Sequence, residues 1–86
     1  MGETAENKVK RLKMRSWHRG TKEMDMVLGP YSDTELNTLN DKQIDLYDAL
    51  LSENDHDLYQ WITGQRPIPD EYNELIAGIS KFAFKS

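Results

Sequence analysis

The apolar residues of this chain recur every three or four positions in short runs, and each run is bounded by a capping residue, a glycine or a proline. The clearest run lies near the end of the chain and consists of Tyr72, Leu75, Ile76, Ile79 and Phe82. This spacing places the side chains of a run on one face of a helix, and no segment shows the strict alternation of a half-buried strand. The pattern predicts an all-α fold, a small bundle of about five helices with short connections.

The breaks in the first half of the chain predict where helices begin and end. A first helix is expected over residues 7–18, after which Gly20 is expected to adopt a positive φ and Thr21 to cap a second helix. Gly29-Pro30 is expected to end or kink that helix. Ser32 and Glu35 have the spacing of a capping box, and so do Asn40 and Gln43.

The second half follows the same logic. A helix is expected over roughly 41–52, and Asn54 or Asp55 is expected to cap the next one, which Gly64 ends. Residues 65–69 contain two prolines and should be extended. The last helix begins near Asp70, and its Gly78 is expected to mark a close contact between helices.

The 86 residues are enough for one domain. Residues 1–6 are expected to form a disordered tail and residues 83–86 a frayed end. A chain of this size has little room for a deep cavity, and it shows no nucleophile with a matching base, so we predict no catalytic residues and no enzyme activity. With no cysteine and only His18 and His56, we also predict no metal site.

Charge is distributed unevenly along the chain. Residues 1–22 hold seven of the eleven basic residues and two acidic ones, whereas the rest of the chain is strongly acidic. A basic first helix could bind nucleic acid, as in a small regulatory or antitoxin-like protein. The acidic pI of about 5.0 and the lack of a recognition-helix pattern argue against that alternative.

The residues around the first break form an unusual group. Arg19-Gly20-x-x-Glu23 by itself has a local explanation, because arginine suits a helix C-terminus, glycine a turn and glutamate a helix N-terminus. Trp17, His18 and Asp25 crowd the same turn. Trp17 could pack beneath the turn or stand out as an interface residue, and we favour a core or partly buried position.

The chain resembles the succinate dehydrogenase assembly factors that promote covalent flavin attachment. The resemblance rests on Arg19-Gly20-x-x-Glu23, which continues into Met24-Asp25, and on a second segment that begins at Leu50-Leu51 and ends at Trp61-x-x-Gly64. The second segment contains Asp55 and Asp57. Each could contact a partner or serve the start of the fourth helix, and we favour the helix role. Trp61 is expected in the core.

The resemblance implies a five-helix assembly chaperone that binds the flavoprotein subunit of succinate dehydrogenase, and in some bacteria that of fumarate reductase. In that reaction a histidine of the flavoprotein becomes bonded to FAD, and the helper supplies proximity and orientation. Arg19 and Glu23 would contact the client, and Gly20 would allow its close approach. The candidate partner-binding residues are Arg15, Trp17, His18, Arg19, Gly20, Glu23 and Asp25.

The remaining expectations concern cofactor, assembly and location. We expect FAD to be the cofactor of the client, with none bound stably by this chain, and we expect a monomer that binds no nucleic acid. No apolar run approaches the roughly 18 residues of a membrane span. The first residues, MGETAENK, are acidic and lack a signal-peptide core. We therefore expect a cytoplasmic protein of bacterial type.

Overall fold

A computed structural model describes residues 2–84 and confirms the all-α prediction. These residues form five helices and two 3₁₀ turns and contain no strand. The helices are α1 (Ala5–Trp17), α2 (Lys22–Glu35), α3 (Asp41–Leu50), α4 (Asp55–Ile62) and α5 (Asn73–Ala83), and the 3₁₀ turns are Leu36–Thr38 and Asp70–Tyr72. None of these helices is long and apolar enough to cross a membrane.

The ends of the chain differ from expectation where the structure describes them. α1 begins at Ala5, because the Thr4 hydroxyl accepts a hydrogen bond from the backbone N–H of Asn7 and caps the helix. Two residues assigned to a disordered tail are therefore helical. Met1, Lys85 and Ser86 lie outside the described residues, so the prediction of frayed ends is not tested there.

The predicted caps are confirmed at most breaks. Thr21 caps α2, and Asn40 and Gln43 form a reciprocal capping box at the start of α3. Asn54 rather than Asp55 caps α4, since the Asn54 side chain accepts from the backbone of His56 at 2.8 Å. Gly64 follows α4 with a φ of 79°, as a glycine stop predicts.

Gly29-Pro30 does not end α2, which continues to Glu35. A proline inside a helix costs about 3 kcal/mol because its N–H is missing and its ring crowds the preceding turn. Burial of Leu28 before the proline and of Tyr31 after it opposes that cost. The predicted capping box at Ser32 is also wrong, because Ser32 is buried inside α2 and its hydroxyl donates to the carbonyl of Gly29.

The close contact between helices lies at Gly29 and not at Gly78. A Cβ placed on Gly29 would lie 2.4 to 2.6 Å from atoms of the Trp17 indole ring. The indole therefore rests on the bare backbone of α2, and its Nε1 donates to Asp33 at 3.1 Å. Trp17 is 37% exposed, so it does not lie in the core: part of its ring packs on α2 and the rest is open to solvent. A Cβ on Gly78 would meet nothing within 4 Å, so the predicted contact there is wrong.

The core draws residues from every helix, including Leu12, Leu28, Tyr47, Trp61 and Ile76. Trp61 is 8% exposed, which confirms its predicted place. One polar pair lies inside the core: the Ser16 hydroxyl donates to the Leu12 carbonyl, which leaves the Tyr47 hydroxyl to donate to Ser16 Oγ at 2.6 Å. Burial raises the pKa of Tyr47 well above its usual value of 10.

The two glycines give a matched test of the helix contact. Gly29→Ala should lower the free energy of unfolding by about 1 to 3 kcal/mol, because the new methyl group displaces the Trp17 ring. Gly78→Ala should raise it by up to about 1 kcal/mol, since alanine favours an open helical position. Urea unfolding followed by circular dichroism measures both. A Gly29→Ala protein as stable as the Gly78→Ala protein would contradict the contact.

Alkaline unfolding tests the environment of Tyr72. Burial, together with the Glu53 carboxylate that accepts a hydrogen bond from its hydroxyl, raises the pKa of Tyr72 from 10 to about 12. The folded protein holds that proton more tightly than the unfolded chain, so this part of the stability is complete below pH 10 and is lost as pH rises toward 12.

Tyr72→Phe should therefore show a shallower fall in the free energy of unfolding between pH 10 and 12. The free energy measured at pH 8 is the baseline, since there the hydroxyl is protonated in both states and any difference reports the lost hydrogen bond alone. Equal slopes in the two proteins would refute the raised pKa.

Candidate functional site

Arg19 lies at the break between α1 and α2, and its side chain is only 10% exposed. Its Nη1 donates to the carbonyl of Leu51 at 2.7 Å, and its Nη2 donates to the carbonyl of Glu53 at 3.1 Å. These carbonyls follow the end of α3, where a cation also complements the helix dipole. The guanidinium thus joins the first break of the chain to the loop between α3 and α4.

Asp55, the first residue of α4, completes the binding of Arg19. Its Oδ1 accepts from Arg19 Nε at 2.7 Å, and its Oδ2 accepts from the backbone N–H of Gly20 at 2.7 Å. The Asp55 side chain is 15% exposed. One carboxylate therefore binds both the side chain of one residue and the backbone of the next, and we call this arrangement the Arg19–Asp55 clamp.

The position of Gly20 favours glycine for a reason other than the predicted positive φ. Among the described residues only Gly64 has a positive φ, so the expected left-handed turn at Gly20 is wrong. A Cβ on Gly20 would lie 3.2 Å from Asp55 Oδ2, which is tighter than ordinary contact. The close approach that a glycine allows is made by a carboxylate of the same chain.

Glu23 and Asp25 both lie in the first turn of α2, but their carboxylates have different contacts. Asp25 turns back, and its Oδ1 accepts from the backbone N–H of Arg19 at 2.6 Å. Glu23 is exposed, and within residues 2–84 its carboxylate has no hydrogen bond or ion pair. Asp25 thus helps to hold the turn, whereas Glu23 is available to another molecule.

A surface groove brings most of the predicted partner-binding residues together. It runs between the end of α1, the turn and the start of α4, and we call it the turn groove. Of the predicted residues it is lined by Arg15, His18, Arg19, Gly20 and Glu23. Asp25 lies behind the turn, and Trp17 packs on α2 at Gly29, so neither is among the lining residues.

Sequence reasoning missed two apolar residues of the turn groove. Met14 from α1 is 67% exposed and Tyr59 from α4 is 40% exposed, and both line it. It also left the role of Asp55 open between a cap and a partner contact, and the structure shows that Asp55 is neither the cap nor free. The available signal was charge: an arginine in one signature and an aspartate in the other can pair.

The basic residues of α1 are mostly paired with carboxylates. Lys8 pairs with Asp45, and Arg11 and Arg15 both approach Asp48, at 3.0 and 3.3 Å. The hydrogen bond from Arg11 lowers the pKa of the Asp48 carboxyl. The pKa of the Arg11 guanidinium is raised, first by its hydrogen bonds to Glu3 and then by those to Asp48. Arg15 also donates to the carbonyl of Leu51 at 3.0 Å. The basic helix therefore faces the acidic α3 of its own chain.

Neither histidine has a partner that indicates metal or proton chemistry. His18 and His56 are exposed, and residues 2–84 contain no group of three or more metal-binding side chains. The prediction of no metal site stays a prediction. Chemically, the turn groove offers a carboxylate, two imidazoles and two apolar side chains around a rigid turn.

Comparison with known proteins gives a consistent picture. Residues 10–83 match the protein family described as flavinator of succinate dehydrogenase. The chain is 41% identical over 76 residues, 85% of its length, to succinate dehydrogenase assembly factor 2, mitochondrial, of Meyerozyma guilliermondii, covering 56% of that protein. It is 40% identical over 67 residues to the same factor of Mycosarcoma maydis, and the match covers 78% of this chain and 28% of that protein. It is 38% identical over 82 residues to the factor of Danio rerio, and the match covers 93% of this chain and 52% of that protein.

These relatives correct the expected location. The prediction of a bacterial cytoplasmic protein is wrong, since the curated relatives are mitochondrial factors from fungi, a fish and flies. That prediction rested on the composition of the first eight residues. The chain spans about half or less of the length of the first relatives, so the composition of those residues is no guide to the compartment.

The clamp predicts strong coupling between its two side chains. Asp55→Asn and Arg19→Met should each lower the free energy of unfolding by about 2 kcal/mol or more, because each leaves a nearly buried charge without its partner. The double variant should cost less than the sum, with a coupling energy of about 1 to 3 kcal/mol. Urea unfolding of the four proteins measures this cycle.

Arg66 and Asp57 provide the matched control. Asp57 is also an aspartate of α4, and Arg66 follows the end of that helix. Arg66 Nη1 lies 3.3 Å from Asp57 Oδ1, and the two side chains are 56% and 38% exposed. The cycle of Arg66→Met and Asp57→Asn should give a coupling below about 1 kcal/mol, since exposed pairs are screened by water. Equal coupling in both cycles would contradict the structural role of the clamp.

Proposed function

Since the chain belongs to the family of flavinators of succinate dehydrogenase, we propose that it assists the covalent attachment of FAD to the flavoprotein subunit of that enzyme. The observation that carries the proposal is the family match over residues 10–83, which spans both sequence signatures. The Arg19–Asp55 clamp supports it, because it joins the two signatures into one exposed surface.

The proposed role is that of an assembly chaperone and not of an enzyme. The bond between flavin and histidine is made by groups of the cofactor and the client. The helper supplies binding energy, which holds the client in a productive arrangement. FAD remains the cofactor of the client, and this chain binds none stably. The chain acts as a monomer. The flavoprotein of fumarate reductase, which the resemblance implies as a client only in some bacteria, is the weaker second client.

We divide the predicted partner-binding residues into two roles. Glu23 and His18 are exposed, and their side chains have no partner among the described residues, so they contact the client. Arg19, Gly20 and Asp25 bind one another or Asp55, so they position the turn. Arg15 joins the positioning group through Leu51, and Trp17 fixes the angle between α1 and α2.

Nucleic-acid binding is the weaker proposal. Affinity for a phosphate backbone comes from unpaired lysines and arginines. Lys8, Arg11 and Arg15 are held by carboxylates, and the overall charge of the chain is -4. These contacts support a protein client over a nucleic acid.

The decisive experiment is in-gel flavin fluorescence of the denatured succinate dehydrogenase flavoprotein. The client is produced alone, with this protein, and with its Glu23→Ala variant. Covalent fluorescence should rise with the intact protein and fall to about a tenth of that gain with the variant, as expected when one docking residue is lost. A client shown to need a helper, yet equally fluorescent in all three samples, would reject the proposed function.

Glu74→Ala is the control. Glu74 is the second residue of α5, as Glu23 is of α2, and both are exposed in the first turn of a helix. The two substitutions therefore remove the same favourable interaction with a helix dipole. Only Glu23→Ala should reduce the fluorescence. If Glu74→Ala reduces it equally, the effect comes from helix stability and not from docking.

A further inference from the structure

The turn groove has an amphipathic lining. Met14 on α1 and Tyr59 on α4 provide its exposed apolar surface, and Glu23 lies at the start of α2. The two helices are joined through the Arg19–Asp55 clamp, which also lines the groove. A rigid base with two exposed apolar side chains is typical of a site for a side chain of a partner.

With the lining histidines His18 and His56 counted as neutral, the one charged side chain of the turn groove that has no partner within residues 2–84 is negative. Arg15 and Arg19 donate to Asp48, Asp55 and backbone carbonyls, and Asp55 accepts from Arg19 and Gly20. Glu23 is the one lining carboxylate that has no ion pair within residues 2–84. A ligand with a positive charge would complement it, whereas a phosphate group would face an unpaired carboxylate.

We propose that the turn groove binds a peptide segment of the client in which a lysine or arginine is close to an apolar residue. The cation pairs with Glu23, and the apolar side chain packs between Met14 and Tyr59. This proposal rests on the proposed function and adds the chemistry of the segment. It also assigns Arg19 to positioning, because the guanidinium is already bound within the chain. FAD, which carries two phosphates, is the competing occupant.

Binding of the FAD-free client tests the proposed ion pair between Glu23 and a basic residue of the client. The probe is the apo flavoprotein subunit of succinate dehydrogenase, titrated with this protein by calorimetry. Glu23→Gln should raise Kd about tenfold and Glu23→Lys about a hundredfold or more, because reversal adds repulsion. Glu74→Lys, the matched position on α5, should leave Kd within about twofold. The difference between the two lysine variants should shrink in 0.5 M salt.

The proposed packing of an apolar client side chain is tested with Met14→Ser and Tyr59→Ser. Each should raise Kd about tenfold, while Met26→Ser, an exposed methionine of α2 outside the turn groove, should not. All of these side chains are exposed, and circular dichroism verifies that the variants fold. A photoreactive benzoylphenylalanine at position 14 or 59 should crosslink to a client peptide that contains a lysine or arginine. The same group at position 26 should not.

Three results would overturn the proposal. The first is a crosslinked peptide without a basic residue, and the second is a Kd that does not respond to Glu23→Lys. The third is saturable binding of free FAD that Tyr59→Ser abolishes, which would assign the turn groove to the cofactor. Flavinylation that still depends on this protein would then leave the proposed function intact, whereas loss of any helper effect would reject both.

Discussion

The Arg19–Asp55 clamp is the interaction on which the arrangement of the helices around the turn depends. One carboxylate at the start of α4 binds the guanidinium and the adjacent backbone N–H, and the guanidinium binds two carbonyls beyond the end of α3. A nearly buried ion pair stabilises a protein only when such further hydrogen bonds satisfy both groups. Here they do, and three parts of the chain meet at one point.

A second constraint sets how α1 meets α2. The Trp17 ring lies on Gly29, and its Nε1 is bound by Asp33 one turn further along α2. The contact sits next to Pro30, so the two residues that disfavour a helix are adjacent. Packing on both sides of this point outweighs the local preference of the backbone. The pair of helices α1 and α2 then exposes Glu23 and His18 beside α4.

The packing of the helices also decides how the charged side chains pair. A basic first helix in an acidic chain suggests a surface for nucleic acid, but α1 packs near α3 and pairs with its carboxylates. These ion pairs are internal, and the exposed side chains of the turn groove include the Glu23 carboxylate, two imidazoles and the apolar Met14 and Tyr59. Most charges around the turn groove are therefore satisfied within the chain, and Glu23 is the exception among the described residues.

The sequence by itself determined the number of helices, most of their caps and the two segments on which the family resemblance rests. The caps at Thr21, Asn40 and Asn54 depend on residues two or three positions apart, so local spacing reveals them. Only the tertiary structure decided what a local pattern cannot contain. Gly29 and not Gly78 marks the close contact because Trp17 lies opposite it, and Asp55 binds Arg19 although 36 positions separate them. Which side chains lie opposite one another depends on how the helices pack, and packing is a property of the whole core.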